Sequence, residues 1–176
     1  MTDPIISLDA LWQPADSLNL PEPLKPWLLE QASLTARLKR HCQQFRVQVL
    51  QEATVMLPGF LQPLLGDDQH ALLREVILWC NDHPCVYAQS WLPRATIEKL
   101  TPLAELGERP LGDYIFQHQG LRRGQIEVTQ LQVKLLQHHV AERCYTRRSV
   151  FQLQDMPILV SEAFLPAMAT LTEAVV

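Results

Sequence analysis

The chain has 176 residues, 47% hydrophobic and 19% charged, which suits one globular domain and excludes disordered and fibrous classes. Its 15 Lys and Arg against 19 Asp and Glu give a net charge of -4 with no basic excess. Outside Arg122-Arg123 and Arg147-Arg148 the cations are dispersed, so nucleic acid is excluded as a main partner. Cys42, Cys80, Cys85 and Cys144 do not repeat in spacing, which argues against a disulfide scaffold. The N-terminal stretch lacks the basic start and apolar core of a secretory signal, and no run of eighteen apolar residues occurs. The expectation is a cytoplasmic protein with reduced thiols, no membrane insertion and a single domain over residues 1–176.

Five prolines in the first 26 residues make residues 1–23 an irregular arm lying on the domain, and residues 169–176 form a tail. "PLKPWLLEQ" offers a helical turn from about Leu24. "SLTARLKRHCQQF" follows as an amphipathic helix, with Ser33 as N-cap and Leu34, Leu38 and Cys42 at intervals of four. "FRVQVLQEATVML" alternates like a strand with one wetter face. "ALLREVILWC" and "CVYAQSWLP", joined by the turn-forming "NDHP", predict an antiparallel hairpin over residues 71 to 93. "RATIEKLTPLAELGERPLGDYIFQ" predicts two short helices around a tight Pro-Leu-Gly loop. Strands resume in "GQIEVTQLQVKLL" and "CYTRRSVFQL", and "QDMP" turns the chain into the closing strand "ILVSEAFLP". Hairpin connections without long helical crossovers imply an α+β fold: one antiparallel sheet of about six strands, flanked by short helices.

Two charges stand out in apolar strands. Glu162 shares a face with Ile158, Val160 and Phe164, while Leu159, Ser161, Ala163 and Leu165 occupy the other, so both faces are apolar. Arg74 likewise shares a face with Leu72, Val76, Leu78 and Cys80. A buried charge needs a partner or a task. Either the two residues belong to structural ion pairs, with each other or with other charges, or they line a pocket for an acidic small molecule. In a pocket, the guanidinium grips a carboxylate at two points and the glutamate accepts a hydroxyl hydrogen or moves a proton. The "RPLGDY" loop, through backbone amides near Leu111, and the N-terminus of the helix opened by Ser33 offer further donors.

Other chemistries find less support. No second thiol pair follows Cys80 and Cys85, and the side chains of His138-His139 diverge on a strand, so no metal site is expected and the histidines are read as surface residues. Free cysteines most often act as small apolar residues. No glycine-rich phosphate loop or Gly-x-Ser-x-Gly elbow is present, so no nucleotide cofactor is implied. Arg147 and Arg148 face opposite ways on a strand, so either one faces the pocket and the other the solvent or both are solvated, and because arginines are mostly exposed the solvated pair is the favoured expectation.

"LLREVILWC", "YAQSWLP", "LGERPLGDYIF", "TRRSVFQL" and "PILVSEAFLPA" resemble, in order and approximate spacing, the chorismate pyruvate-lyase family of ubiquinone biosynthesis, over about residues 27 to 168. The resemblance implies conversion of chorismate to 4-hydroxybenzoate and pyruvate by a cytoplasmic monomer, without metal or organic cofactor. It also implies a ligand cavity enclosed under helical flaps. In it Arg74 holds a carboxylate, Glu162 meets the ring hydroxyl, and the backbone amides of Leu34 and Leu111 add contacts. The Leu34 position often carries methionine in the family, a change that a backbone contact tolerates. At Cys85-Val86 the family pattern has proline and tryptophan, a departure bearing on local packing. The same general fold resembles effector-binding domains of bacterial transcription regulators, so a non-catalytic sensor of small acids is the alternative. Against it, the ligand fold consumes nearly the whole chain and leaves no room for a helix-turn-helix before Leu24.

Overall fold

The computed structural model describes residues 2–171, and its framework is an antiparallel sheet. In chain order the elements are β1 (Gln13–Pro14), α1 (Lys25–Leu28), α2 (Leu34–His41), β2 (Phe45–Met56), α3 (Gln62–Leu65), β3 (His70–Cys80) and β4 (His83–Pro93). There follow α4 (Arg94–Lys99), α5 (Leu111–Ile115), β5 (Arg122–Arg123), β6 (Glu127–Leu135), β7 (Val140–Leu153) and β8 (Met156–Phe164). The strand order is β1-β6-β7-β8-β4-β3-β2, with β5 paired to β7, giving eight strands among the described residues. Six are long, as the alternation predicted; β1 and β5 span two residues each, too short to leave a pattern.

Local chemistry sets the connections. Asn81 (φ 55°) turns β3 into β4, and Gln154 (φ 50°) with Asp155 (φ 63°) turns β7 into β8, the left-handed backbone that tight hairpins require. Both turns are shorter than the sequence suggested, so His83, Pro84, Met156 and Pro157 already belong to strands. Ser33 caps α2 by accepting from the Ala36 amide at 3.1 Å, and Lys39, Arg40 and His41 close the helix where its dipole favours cations.

The sheet is covered on both faces. Leu73, Ile77, Tyr87, Trp91, Leu159 and Ala163 pack one face under the N-terminal arm (Ile6, Leu8) and the segment carrying Leu57, Leu61 and Leu65. On the other, Val76, Leu78 and Phe164 meet Trp27, Leu28, Leu34 and Leu38, while Phe151 and Ile158 meet Leu103, Leu111 and Ile115. The alternation read in β8 therefore holds, and double coverage is why the strand reads as nearly continuous apolar sequence.

A bulge resets the parity of β2: Val49 faces Val76, but Gln51 faces Glu75 and Glu52 faces Arg74, leaving Leu50 as the extra residue. Arg74 and Glu75 thereby each gain a polar partner across the strand. A second irregularity skips Cys85 between the pairs Leu78–Val86 and Trp79–Pro84, and both Cys85 and Val86 are fully buried.

Two expectations need correction. The arm is irregular only in part, because Gln13–Pro14 pairs with β6 and Ala15–Ser17 forms a 3-10 turn. The thiols are not all reduced: Cys42, at the C-cap of α2, is bonded to Cys80, at the end of β3, whereas Cys85 and Cys144 are free and buried. The pairing of Phe45 with Cys80 brings the two together across 38 residues, a relation that spacing alone does not encode. A 3-10 turn over Pro166–Thr170 leads into the C-terminal tail, whose last part, 172–176, lies outside the described residues.

Glu75, fully buried on the arm side, accepts from the Ile5 amide at 2.7 Å and from the side chains of Gln51, Tyr87 and Gln89. Burial and the neighbouring Glu75 push the Tyr87 hydroxyl far above its usual range, so it stays a donor. Glu75→Ala strands these donors and is expected to cost about 3 kcal/mol, read as a lower denaturant midpoint at unchanged slope. The arm should then become more sensitive to proteolysis.

Candidate active site

Between the second sheet face and the helices lies a cavity. Val76, Leu78, Ala88, Phe151 and Val160 give it apolar walls, and α2 and α5 roof it with Leu34, Thr35, Leu111, Gly112 and Ile115. All four residues expected at the site, Arg74, Glu162, Leu34 and Leu111, line this one cavity.

Arg74 and Glu162 are not partners of each other. Arg74, 2% exposed, donates through Nη1 to Glu52 at 2.8 Å and through Nη2 to the carbonyls of Gly107 (2.9 Å) and Arg109 (3.0 Å). It thus pins the loop that leads into α5 and still lines the cavity. Glu162 receives the Nε of Arg147 at 2.5 Å, from the residue directly opposite it on β7. Arg147 also donates through Nη1 to the carbonyls of Trp27 (3.2 Å), Leu28 (3.4 Å) and Glu30 (2.7 Å), fixing the segment that leads into α2. The expectation of a solvated Arg147 is therefore wrong: it is 1% exposed and faces the cavity. Arg148 faces the other way, half-buried, donating to Glu127 at 3.0 Å and lying 4.5 Å from the Trp12 ring centroid.

Arg123 also lines the cavity, a position the sequence did not single out. Burial first, then the like charge of Arg147, pulls its guanidinium down to about 10, against the opposing pull of Glu162 and Glu30. It remains a cation at neutral pH. Three guanidiniums and one carboxylate thus border a largely apolar space, an arrangement suited to a small anion.

The roof supplies backbone donors. Leu34 and Leu111 are the first residues of α2 and α5, where amides have no intrahelical acceptor. The two N-termini come together because Gly112 has no side chain: a Cβ there would sit 3.3 Å from Thr35 Oγ1 and 3.5 Å from Ser33 Oγ. Its role is close approach of helices rather than the loop turn expected. None of the histidines is buried, and burial pushes the Cys85 and Cys144 thiols up to about 11, the behaviour of core residues rather than nucleophiles.

A family model described as chorismate lyase matches residues 6–175. The chain is 44% identical over 170 residues to a protein of Pseudoalteromonas translucida named probable chorismate pyruvate-lyase, covering 92% of this chain and 94% of the relative. It is 33% identical over 156 residues to the chorismate pyruvate-lyase of Pectobacterium atrosepticum, covering 84% and 79%. Among solved structures, PhnF from Mycobacterium smegmatis aligns with a TM-score of 0.59 at 14% identity, covering 80% of this chain and 66% of that one. A GntR-family transcriptional regulator from Bacillus cereus aligns at 0.54 and 16% identity, covering 76% and 99%. At such identities these two likenesses show the fold alone.

Gly112→Val would press the new side chain against Thr35 and Ser33. Valine is no worse a helix former than glycine, so a loss of about 1–3 kcal/mol in urea unfolding would report the crowded roof contact. Unchanged stability would contradict the close approach.

Proposed function

This chain belongs to the chorismate lyase family, and on that premise we propose that it is a chorismate pyruvate-lyase, releasing pyruvate from chorismate and leaving 4-hydroxybenzoate. The observation that carries this reading is the convergence of Arg74, Glu162, Leu34 and Leu111 on one largely apolar cavity. Arg74 holds the ring carboxylate, together with the amides that open α2 and α5. Glu162 meets the ring hydroxyl, where its link to Arg147 keeps the carboxylate oriented.

The reaction suits a site that holds and orients. A proton leaves the ring carbon bearing the hydroxyl, its electron pair joins the ring as the neighbouring carbon–oxygen bond breaks, and the departing enolpyruvate takes up a proton to become pyruvate. Atoms and charge balance without an external oxidant or reductant, and the gain of an aromatic ring drives the step. The protein contributes orientation, exclusion of water and a carboxylate beside the hydroxyl for proton movement.

In this reading the product enters ubiquinone biosynthesis, and the chain works as a cytoplasmic monomer forming one domain. Among the described residues no helix is long and apolar enough to cross a membrane, which agrees with that setting. The Cys42–Cys80 bond points the other way, since reducing compartments disfavour such links.

Mixing the protein with chorismate and following 4-hydroxybenzoate absorbance tests the assignment. Turnover supports the lyase, tight binding without turnover the sensor of small acids, and neither result a purely structural role for the charges. Glu162→Gln keeps an oxygen that accepts from Arg147 and is expected to fold while losing roughly a hundredfold or more in turnover. Arg74→Ala should weaken substrate and product alike, by roughly ten- to a hundredfold. A roofed cavity that grips a flat acid at both ends should release it slowly, so added 4-hydroxybenzoate should inhibit, and equal rates with and without it would contradict the enclosed site.

A further inference from the structure

Resting on the lyase reading, we propose that Arg123 binds the substrate's second carboxylate, the one that departs with pyruvate. The site so far described accounts for one carboxylate and one hydroxyl, whereas chorismate is a dianion. Two of the three cavity arginines already have carboxylate partners, Arg74 in Glu52 and Arg147 in Glu162. Among the described residues Arg123 has no ion pair: Nε donates to the neutral Ser149 Oγ at 3.0 Å and Nη1 to the Gln31 carbonyl at 3.1 Å. Its guanidinium carbon lies 4.8 Å from the Phe151 ring centroid, a stacking that holds the plane in place. Nη2 has no protein acceptor among the described residues, so a preoriented edge of the fork is uncommitted.

An unpaired cation beside a second arginine is costly in the empty protein, and an incoming anion relieves that cost. The location agrees with the chemistry. Arg123 pairs across the strands with Phe151, and Ser149 and Arg147 are the next residues on the same face of β7, so Arg123 stands toward the Arg147–Glu162 end. It feels the charges of both. In chorismate the enolpyruvyl ether sits on the ring carbon next to the one bearing the hydroxyl, which places its carboxylate at that same end, away from the ring carboxylate at Arg74. Arg123 also borders an outer cleft with Asp16, Gln31 and Gly124, so the group is within reach of an anion arriving from outside.

The product lacks this second carboxylate, which gives the test its discriminating power. Turnover of chorismate by the unaltered protein is measured first and judges the lyase reading by itself. Arg123→Gln is then expected to raise the KM for chorismate roughly ten- to a hundredfold, the worth of charge-assisted hydrogen bonds, while the Kd for 4-hydroxybenzoate changes by less than about twofold. Unchanged product binding also shows that the fold is intact. Arg123→Lys, which keeps the charge but not the flat fork, should fall between with product affinity again unchanged, and it decides the matter if Arg123→Gln does not fold. Equal losses for substrate and product, or no loss for substrate, would overturn the assignment. If the unaltered protein binds chorismate without converting it, the lyase reading falls, and the same comparison made with equilibrium Kd values for chorismate and 4-hydroxybenzoate still decides the place of Arg123.

Discussion

Two buried guanidiniums hold the roof of the cavity to its floor, and the rest of the site depends on them. Arg147 pairs with Glu162 across adjacent strands and at the same time binds three carbonyls of the segment that enters α2. Arg74 pairs with Glu52 and binds two carbonyls of the loop that enters α5. A buried charge left without partners costs several kcal/mol, an order-of-magnitude figure, so each arginine makes its flap segment part of the core. The helix ends divide their hydrogen-bonding groups: carbonyls before the helices bind the arginines, and the first amides of the helices have no intrahelical acceptor.

This arrangement gives the charges two duties. Glu162 is both the anchor of a structural pair and a wall of the cavity, and Arg74 is both a clamp on a loop and a cation facing the enclosed space. The structural pairs formed by Arg74 and Glu162 therefore do not preclude a binding role, since both residues also line the cavity. The same fold occurs in a GntR-family transcriptional regulator at 16% identity and in PhnF at 14%, so the fold by itself does not set the function, and the charged groups that line the space carry the distinction.

Much of the architecture was legible because it rests on local rules. Alternation marked the six long strands, Asn and Asp marked the tight turns, and Ser33 marked the start of α2. Facing apolar residues on both sides of β8 singled out Glu162, and the same pattern on β3 singled out Arg74. The unreadable features depend on register and on elements distant in the chain. The partner of Glu162 is the residue opposite it on β7, and exposure statistics for arginine pointed away from it. The bulge at Leu50 that delivers Glu52 to Arg74 leaves no composition signal, nor does the meeting of Cys42 with Cys80. Arg123 lies on a two-residue strand, where no periodicity exists to flag a charge facing inward. The signal that does point to Arg147 is the need of a buried Glu162 for a cation: β7 and β8 form a hairpin, and one of two adjacent arginines on β7 must face inward.

The most direct test is a crystal structure of the chain with 4-hydroxybenzoate bound. The account requires the ring inside the cavity, its carboxylate within about 3 Å of Arg74 and of the amides of Leu34 and Leu111, and its hydroxyl hydrogen-bonded to Glu162. A product molecule bound outside the cavity, or lying in it with the carboxylate turned toward Glu162, would contradict it.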